Sequence, residues 1–125
     1  MIGYTTLGTN DLPRAIAFYD TLFAAIGVKQ IMSFSRGVGW GRSFDEPMFA
    51  VMTPFDGQAA TVGNGVMVSL HCSNRDQVHA LYDLALSQGG KDEGAPGPRG
   101  DDFYGAYFRD LDGNKLAAFC VGPAA

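Results

Sequence analysis

The sequence predicts an α+β fold in which two βαβββ repeats form a cupped mixed sheet around a pocket for a small molecule. Three observations lead there. The chain matches itself when residues 4–27 are laid over residues 67–90, which pairs Leu7 with Leu70, Ala17 with Ala80, Tyr19 with Tyr82, Asp20 with Asp83 and Gly27 with Gly90. In both copies a strand-like run leads into an amphipathic helical stripe. After both stripes come short segments rich in aromatic and branched residues, punctuated by Gly, Pro and Asp as in a meander.

In the first copy, residues 2–8 read as a strand, and Asn10 or Asp11 can cap a helix whose first turn tolerates Pro13. The stripe Leu12, Ala15, Ile16, Tyr19, Leu22, Phe23 and Ile26 keeps the helical spacing and stops at Gly27. Three strands follow near residues 29–35, 38–44 and 48–54. In the second copy, residues 66–72 read as a strand, with Ser73 as cap and Asp76 three residues on, an imperfect capping box. Val78, Leu81, Tyr82, Ala85 and Leu86 form the second stripe, closed by Gly89 and Gly90. Strands are expected near 104–109 and 115–121, joined at Asp112-Gly113, a dipeptide suited to tight hairpins. A faint strand is expected at 91–93, with residues 94–102 as a loop that either only connects or covers the pocket. Module one thus takes residues 1–55, a linker 56–65 and module two 66–122, within one domain 1–125.

The bulk properties narrow the function classes. A 46% hydrophobic and 18% charged composition suits an ordinary globular chain with no membrane span, and the start has no signal-peptide pattern, so the cytoplasm is the expected compartment. The net charge of −4 with dispersed basic residues argues against nucleic acid. Cys72 and Cys120 read as small buried hydrophobes rather than a disulfide. Gly37, Gly39 and Gly41 around Trp40 do not make a nucleotide loop, because no helix N-terminus follows to receive phosphate.

The opening Gly-Tyr-Thr-Thr-Leu-Gly-Thr-Asn-Asp-Leu, the Ala-Phe-Tyr-Asp that follows, and the closing Arg-Asp-Leu-Asp-Gly-Asn-Lys-Leu-Ala-Ala-Phe resemble the vicinal oxygen chelate superfamily. That superfamily holds glyoxalase I, extradiol dioxygenases, and fosfomycin and bleomycin resistance proteins. Asp110 to Asn114 reads as its turn rather than a calcium loop, since no downstream bidentate Glu follows. The resemblance implies a metal inside the cup in many members, held by His, Glu or Gln. The matching positions here are Tyr4, about Ala50, Met67 and Ala117. None is an imidazole or a carboxylate, so no metal site and no cofactor are expected.

Strand alternation from those positions gives the expected ligand contacts: Tyr4, Thr6, Met52, Met67, Ser69 and Phe119, with Trp40 and Arg42 as walls. Val68, Leu70 and Cys72 should turn toward a helix. His71 shares the pocket face and is the one candidate general base. His79 falls on a helix, where copy one has Ile16. The expected function is a small-molecule-binding protein or an enzyme of this superfamily lacking the usual metal. The alternatives are a metal-dependent lyase or dioxygenase of the glyoxalase I type, and a drug-sequestering resistance protein. The expected partners are a small-molecule ligand and a second copy in a homodimer, with the linker long enough for pairing of modules within or between chains.

Overall fold

The structure is a computed structural model and describes residues 1–123. The chain divides into two compact units, Met1–Gly63 and a second from Asn64 onward. The first unit runs β1 (Tyr4–Gly8), α1 (Leu12–Ala24), β2 (Lys29–Phe34), β3 (Gly37–Gly41) and β4 (Met48–Met52). Its sheet has the order β1-β4-β3-β2, with β1 parallel to β4 and the other pairs antiparallel. The second runs β5 (Val68–His71), α2 (Arg75–Ser87), β6 (Lys91–Pro98), β7 (Phe103–Arg109) and β8 (Lys115–Val121). Its order is β5-β8-β7-β6 with the same pairing senses. The fold is therefore the α+β repeat that the sequence predicts, each copy a four-stranded mixed sheet with one helix.

Helix α1 starts because Asp11 accepts a hydrogen bond from the Arg14 N–H at 3.1 Å and Pro13 sits in the first turn, where its missing N–H costs nothing. It ends at Ala24, and Gly27, at a φ of 71°, closes the turn that follows in a conformation open to glycine. Its buried residues, Ala15, Phe18, Tyr19, Leu22 and Phe23, pack on the sheet. Tyr19 lies 4.8 Å from Phe49 between ring centres, and Phe23 lies 5.6 Å from Trp40. Burial of each such ring contributes about 1.5–3 kcal/mol. Phe18 joins this core although it lies outside the expected stripe; its ring meets Tyr19 edge-on at 5.0 Å.

In the second unit the cap is Asn74, not Ser73. Asn74 Oδ1 accepts from the Gln77 N–H at 2.9 Å, and Gln77 Oε1 accepts in return from the Ser73 N–H at 2.8 Å. The arrangement resembles a capping box one residue later than the Ser73 and Asp76 spacing indicated, with the return bond reaching the residue before the cap. Val78, Leu81, Tyr82 and Ala85 are buried as the stripe requires.

The loop expected over 94–102 is corrected in its first half, where β6 continues through Pro98. Pairing with β7 shifts register between Asp92 and Gly94 and again between Gly94 and Gly97. Because β6 is an edge strand, Pro96 and Pro98 lack only donors that would have faced outward, so the composition of a loop is compatible with a bulged strand. Between β7 and β8, Asp110 fixes the turn: Oδ1 accepts from the Asp112 and Asn114 N–H groups, each at 2.9 Å, and Oδ2 from Asn114 Nδ2 at 2.9 Å. Gly113, at a φ of 90°, completes it.

Cys72 and Cys120 are free and buried on the helix-covered side of the second sheet. Desolvation raises the Cys72 thiol from 9.0 to about 11. No described helix is long and apolar enough to cross a membrane. The start of the linker is tied to the first unit, since the Ala60 N–H donates to Asn10 Oδ1 at 2.7 Å and Ala60 O accepts from Asn10 Nδ2 at 3.2 Å.

Two outcomes are expected from this packing. With so little thiolate at pH 8, Cys72 should label with a thiol reagent far more slowly in the native protein than in guanidinium, and prompt native labelling would contradict its burial. Because the folded thiol holds its proton above the unfolded value, its contribution is intact below pH 9 and should be lost as pH rises through about 11, seen as a falling denaturant midpoint. Gly90→Ala would place a Cβ 2.7 Å from both the Ala85 and Arg109 carbonyl oxygens, and should lower stability by about 1–3 kcal/mol in urea unfolding.

Candidate functional site

Each sheet has one helix on one face, so alternation divides its side chains sharply. In the first unit, register pairs Thr5 with Phe49, Leu7 with Val51, Val38 with Val51 and Trp40 with Phe49, which is the set facing α1. The opposite, open face carries Tyr4, Thr6, Met48, Ala50 and Met52. Gly37, Gly39 and Gly41 share that face. A Cβ at Gly39 would meet Met32 at 3.6 Å, and one at Gly41 would come within 2.9 Å of Ile31 and 3.2 Å of Met48. Neighbouring thioether and aliphatic side chains thus close over the glycines.

In the second unit, Val68, Leu70, Ala106, Phe108, Leu116 and Ala118 face α2. The open face carries Ser69 beside Ala117, His71 beside Phe119, and Tyr107, Gly105 and Phe103 along β7. Phe103 and Phe119 stack with centres 5.3 Å apart and planes 5° from parallel, and His71 meets Phe119 edge-on at 5.4 Å. Gly105 makes this possible: a Cβ there would stand 3.0 Å from the Phe103 ring. The Arg99 guanidinium lies 5.4 Å from the centre of the Tyr107 ring, and Lys115 Nζ lies 5.8 Å from it. Glu93 is engaged with Arg109 at 2.8 Å, and that hydrogen bond, then the Arg109 charge, holds its carboxyl below the usual carboxylate range.

The expected contacts fall into two groups. Tyr4, Thr6 and Met52 share the open face of the first unit, and Ser69, His71 and Phe119 share that of the second. Met67 stands one residue before β5, 43% exposed. Trp40 and Arg42 are corrected. Trp40 is 1% exposed, packed against Tyr19, Phe23 and Phe49, and its Nε1 donates to Asp20 Oδ1 at 2.9 Å. Arg42 lies past β3, and its Nη2 donates to the Ile26 carbonyl just beyond α1, at 3.0 Å. The signal that sets this phase is the glycine triplet itself: with no side chains at 37, 39 and 41, Val38 and Trp40 must supply the core.

Phe103, Tyr107, Arg99 and Lys115 were outside the expected set, because β6 read as a loop and β7's alternation was not assigned to a face. His79 lies on α2, with Nε2 2.6 Å from Tyr104 Oη and the Arg75 guanidinium 4.5 Å from the centre of that ring. Both are on the helix side of the sheet, away from His71.

His71 has no hydrogen-bond partner among the described residues, so its ring nitrogens are available to a ligand and no carboxylate orients them. The positions that would hold a metal carry Tyr4, Ala50, Met67 and Ala117, donors that do not fit a divalent ion. Among the described residues no group of three or more His, Cys, Asp or Glu side chains is placed to hold one.

Two βαβββ units, each with one sheet face given to a helix and the other open, define a class of small proteins built by repeating that unit. The chain belongs to the Glyoxalase/Bleomycin resistance protein/Dioxygenase superfamily, whose family model matches residues 1–118. A glyoxalase/bleomycin resistance protein from Albidiferax ferrireducens T118 is 32% identical, with 96% of this chain and 98% of that chain covered and a TM-score of 0.89. A glyoxalase/bleomycin resistance protein/dioxygenase family enzyme from Burkholderia phytofirmans PsJN shares the fold at 16% identity, with coverages of 95% and 97% and a TM-score of 0.74. A lactoylglutathione lyase from Agrobacterium tumefaciens does so at 18%, with 96% and 92% covered and a TM-score of 0.69. No curated protein matches the chain.

Because Trp40 is the only indole and lies beneath α1, its emission should be blue-shifted and weakly quenched by acrylamide until the protein unfolds. Strong quenching in the native state would place the indole on the open face instead.

Proposed function

We propose that the chain is a small-molecule-binding protein of its superfamily that works without the usual metal ion, using the open sheet faces as the binding surface. The observation that carries this is the contrast between the two sets of positions. Where metal-dependent relatives by resemblance would have ligands, this chain has a phenol, a thioether and two methyl groups. Around them it has half-buried rings and a few polar atoms, the make-up of an organic ligand site. On the first unit's face Tyr4, Thr6 and Met52 supply contact area; on the second unit's, Met67, Ser69 and Phe119 do so, and His71 offers the polar atoms that fix orientation. Without a carboxylate to orient its ring, His71 favours binding over general-base catalysis.

A metal-dependent lyase or dioxygenase is the rival reading and requires a ligand set formed differently. A drug-sequestering protein is the limiting case in which binding alone is the function. Native mass spectrometry and elemental analysis of the protein purified from its own cells separate them. The expected result is an organic adduct with no stoichiometric transition metal. Roughly one zinc, nickel, manganese or iron per chain, lost on chelation together with ligand binding, would overturn the proposal.

Self-association belongs to the same reading. Strands β1 and β5 each end a sheet with one edge unpaired within it, and a second copy of the chain would protect such edges. Sedimentation equilibrium at micromolar protein should give the homodimer mass, and a monomer mass would remove this part. A reducing cytoplasm suits the two free thiols.

A further inference from the structure

We propose that the open face of the second unit recognises a planar aromatic ligand carrying a carboxylate, its ring against Phe119 and His71 and its charge beside Arg99 and Lys115. This deepens the binding reading above and rests on it. The argument starts from charge. The chain as a whole is acidic, with a net charge of −4, yet Tyr107 on this face holds two cations within 6 Å of its ring centre. A ring face attracts each cation by only about 0.5–1 kcal/mol at an exposed site, and the two like charges repel. The nearby carboxylate, Glu93, is hydrogen-bonded to Arg109 at 2.8 Å and feels the charge of Lys115 only at longer range. Neither Arg99 nor Lys115 forms an ion pair with a described residue.

Arg99 is also held in place. It folds back across β6, donating from Nη2 to the Ala95 carbonyl at 2.8 Å and from Nη1 to the Pro98 carbonyl at 3.3 Å. The glycines beneath make room: a Cβ at Gly97 would stand 3.1 Å from Nη1, and one at Gly94 3.4 Å from Nη2. A guanidinium has five N–H donors, so the rest of the fork is available to a carboxylate. A carboxylate beside the Tyr107 ring would offset the repulsion between the two cations.

The aromatic half of the argument is spacing. Tyr107 lies opposite Ala117 and Gly105 opposite Phe119, so the charged and stacked ends are one same-face step apart on both strands, about 7 Å. That separation suits one ligand with a flat ring at one end and an anionic substituent at the other. Phe103 and Phe119 already lie parallel, and the exposed edge of His71 extends the aromatic surface. Ser69, opposite Ala117, adds a hydroxyl on the same level as Tyr107. The matching positions of the first unit carry Gly39, Met48 and Met52, none of them charged or aromatic.

The test uses naphthalene-2-carboxylate and its neutral partner naphthalene-2-carboxamide as probes of the full-length protein, by calorimetry and by ¹⁵N shift mapping. The carboxylate should bind more tightly than the amide by about ten-fold at low salt, with the advantage shrinking as salt is added. Arg99→Gln and Lys115→Gln should each weaken the carboxylate by about three-fold and leave the amide unchanged, while Phe103→Leu should weaken both. Shifts should centre on β7, β8 and Ser69.

Equal affinity for the two probes would overturn the anion assignment and leave the binding reading standing. Carboxylate binding with shifts confined to helix surfaces or to the first unit would also overturn it. Failure of both probes to bind, with β7 and β8 signals broadening with protein concentration alone, would mean that a second copy covers this face, and would overturn both proposals.

Discussion

One helix can cover only one face of a four-stranded sheet, and the rest of this protein follows from that limit. In the three strands nearest the helix, each unit turns alternate residues toward that helix and the others toward the opposite face. The committed set is apolar and densely packed in both: Leu7, Val38, Trp40, Phe49 and Val51 beneath α1, and Leu70, Ala106, Phe108, Leu116 and Ala118 beneath α2. The alternation fixes which residues a ligand can reach before any question of chemistry arises.

The helical stripes and the register of the two copies were legible because both depend on periodicity. Tyr19 with Tyr82 and Leu7 with Leu70 mark positions that a helix-covered sheet needs in each copy. Helix starts were legible to within a residue: Asp11, one of the two residues the sequence offers, caps α1, whereas Asn74 rather than Ser73 caps α2 and accepts from the Gln77 N–H. Strand β6 was not legible, since Gly94, Pro96 and Pro98 carry the composition of a loop, and only its place at a sheet edge makes that composition tolerable.

The site was legible where a strand could be phased from its neighbours, as with Thr6 and Ser69, and obscured where glycines removed the phase information. A tryptophan between glycines resembles an exposed ring beside a cavity. In fact neighbouring side chains close over the glycines, and the indole turns inward to meet Phe23 and donate to Asp20. Arg42 follows the same logic one step further along, where the chain has left the strand and the guanidinium finds a helix-end carbonyl. The cations around Tyr107 were hidden because one of them comes from the segment after β6, whose pairing had to be known first.

Equivalent positions of the two sheets show what this division permits. On the covered side, Trp40 corresponds to Phe108 and Phe49 to Leu116, replacements of similar character. On the open side, Gly39 corresponds to Tyr107, Gly41 to Arg109, Met48 to Lys115 and Met52 to Phe119, with little chemistry in common. A repeated unit of this kind can change what it recognises one face at a time, because the residues that decide recognition and those that decide folding do not share a side of the sheet. The two halves of the chain can therefore diverge in specificity without a compensating change in either interior, which makes the architecture evolvable.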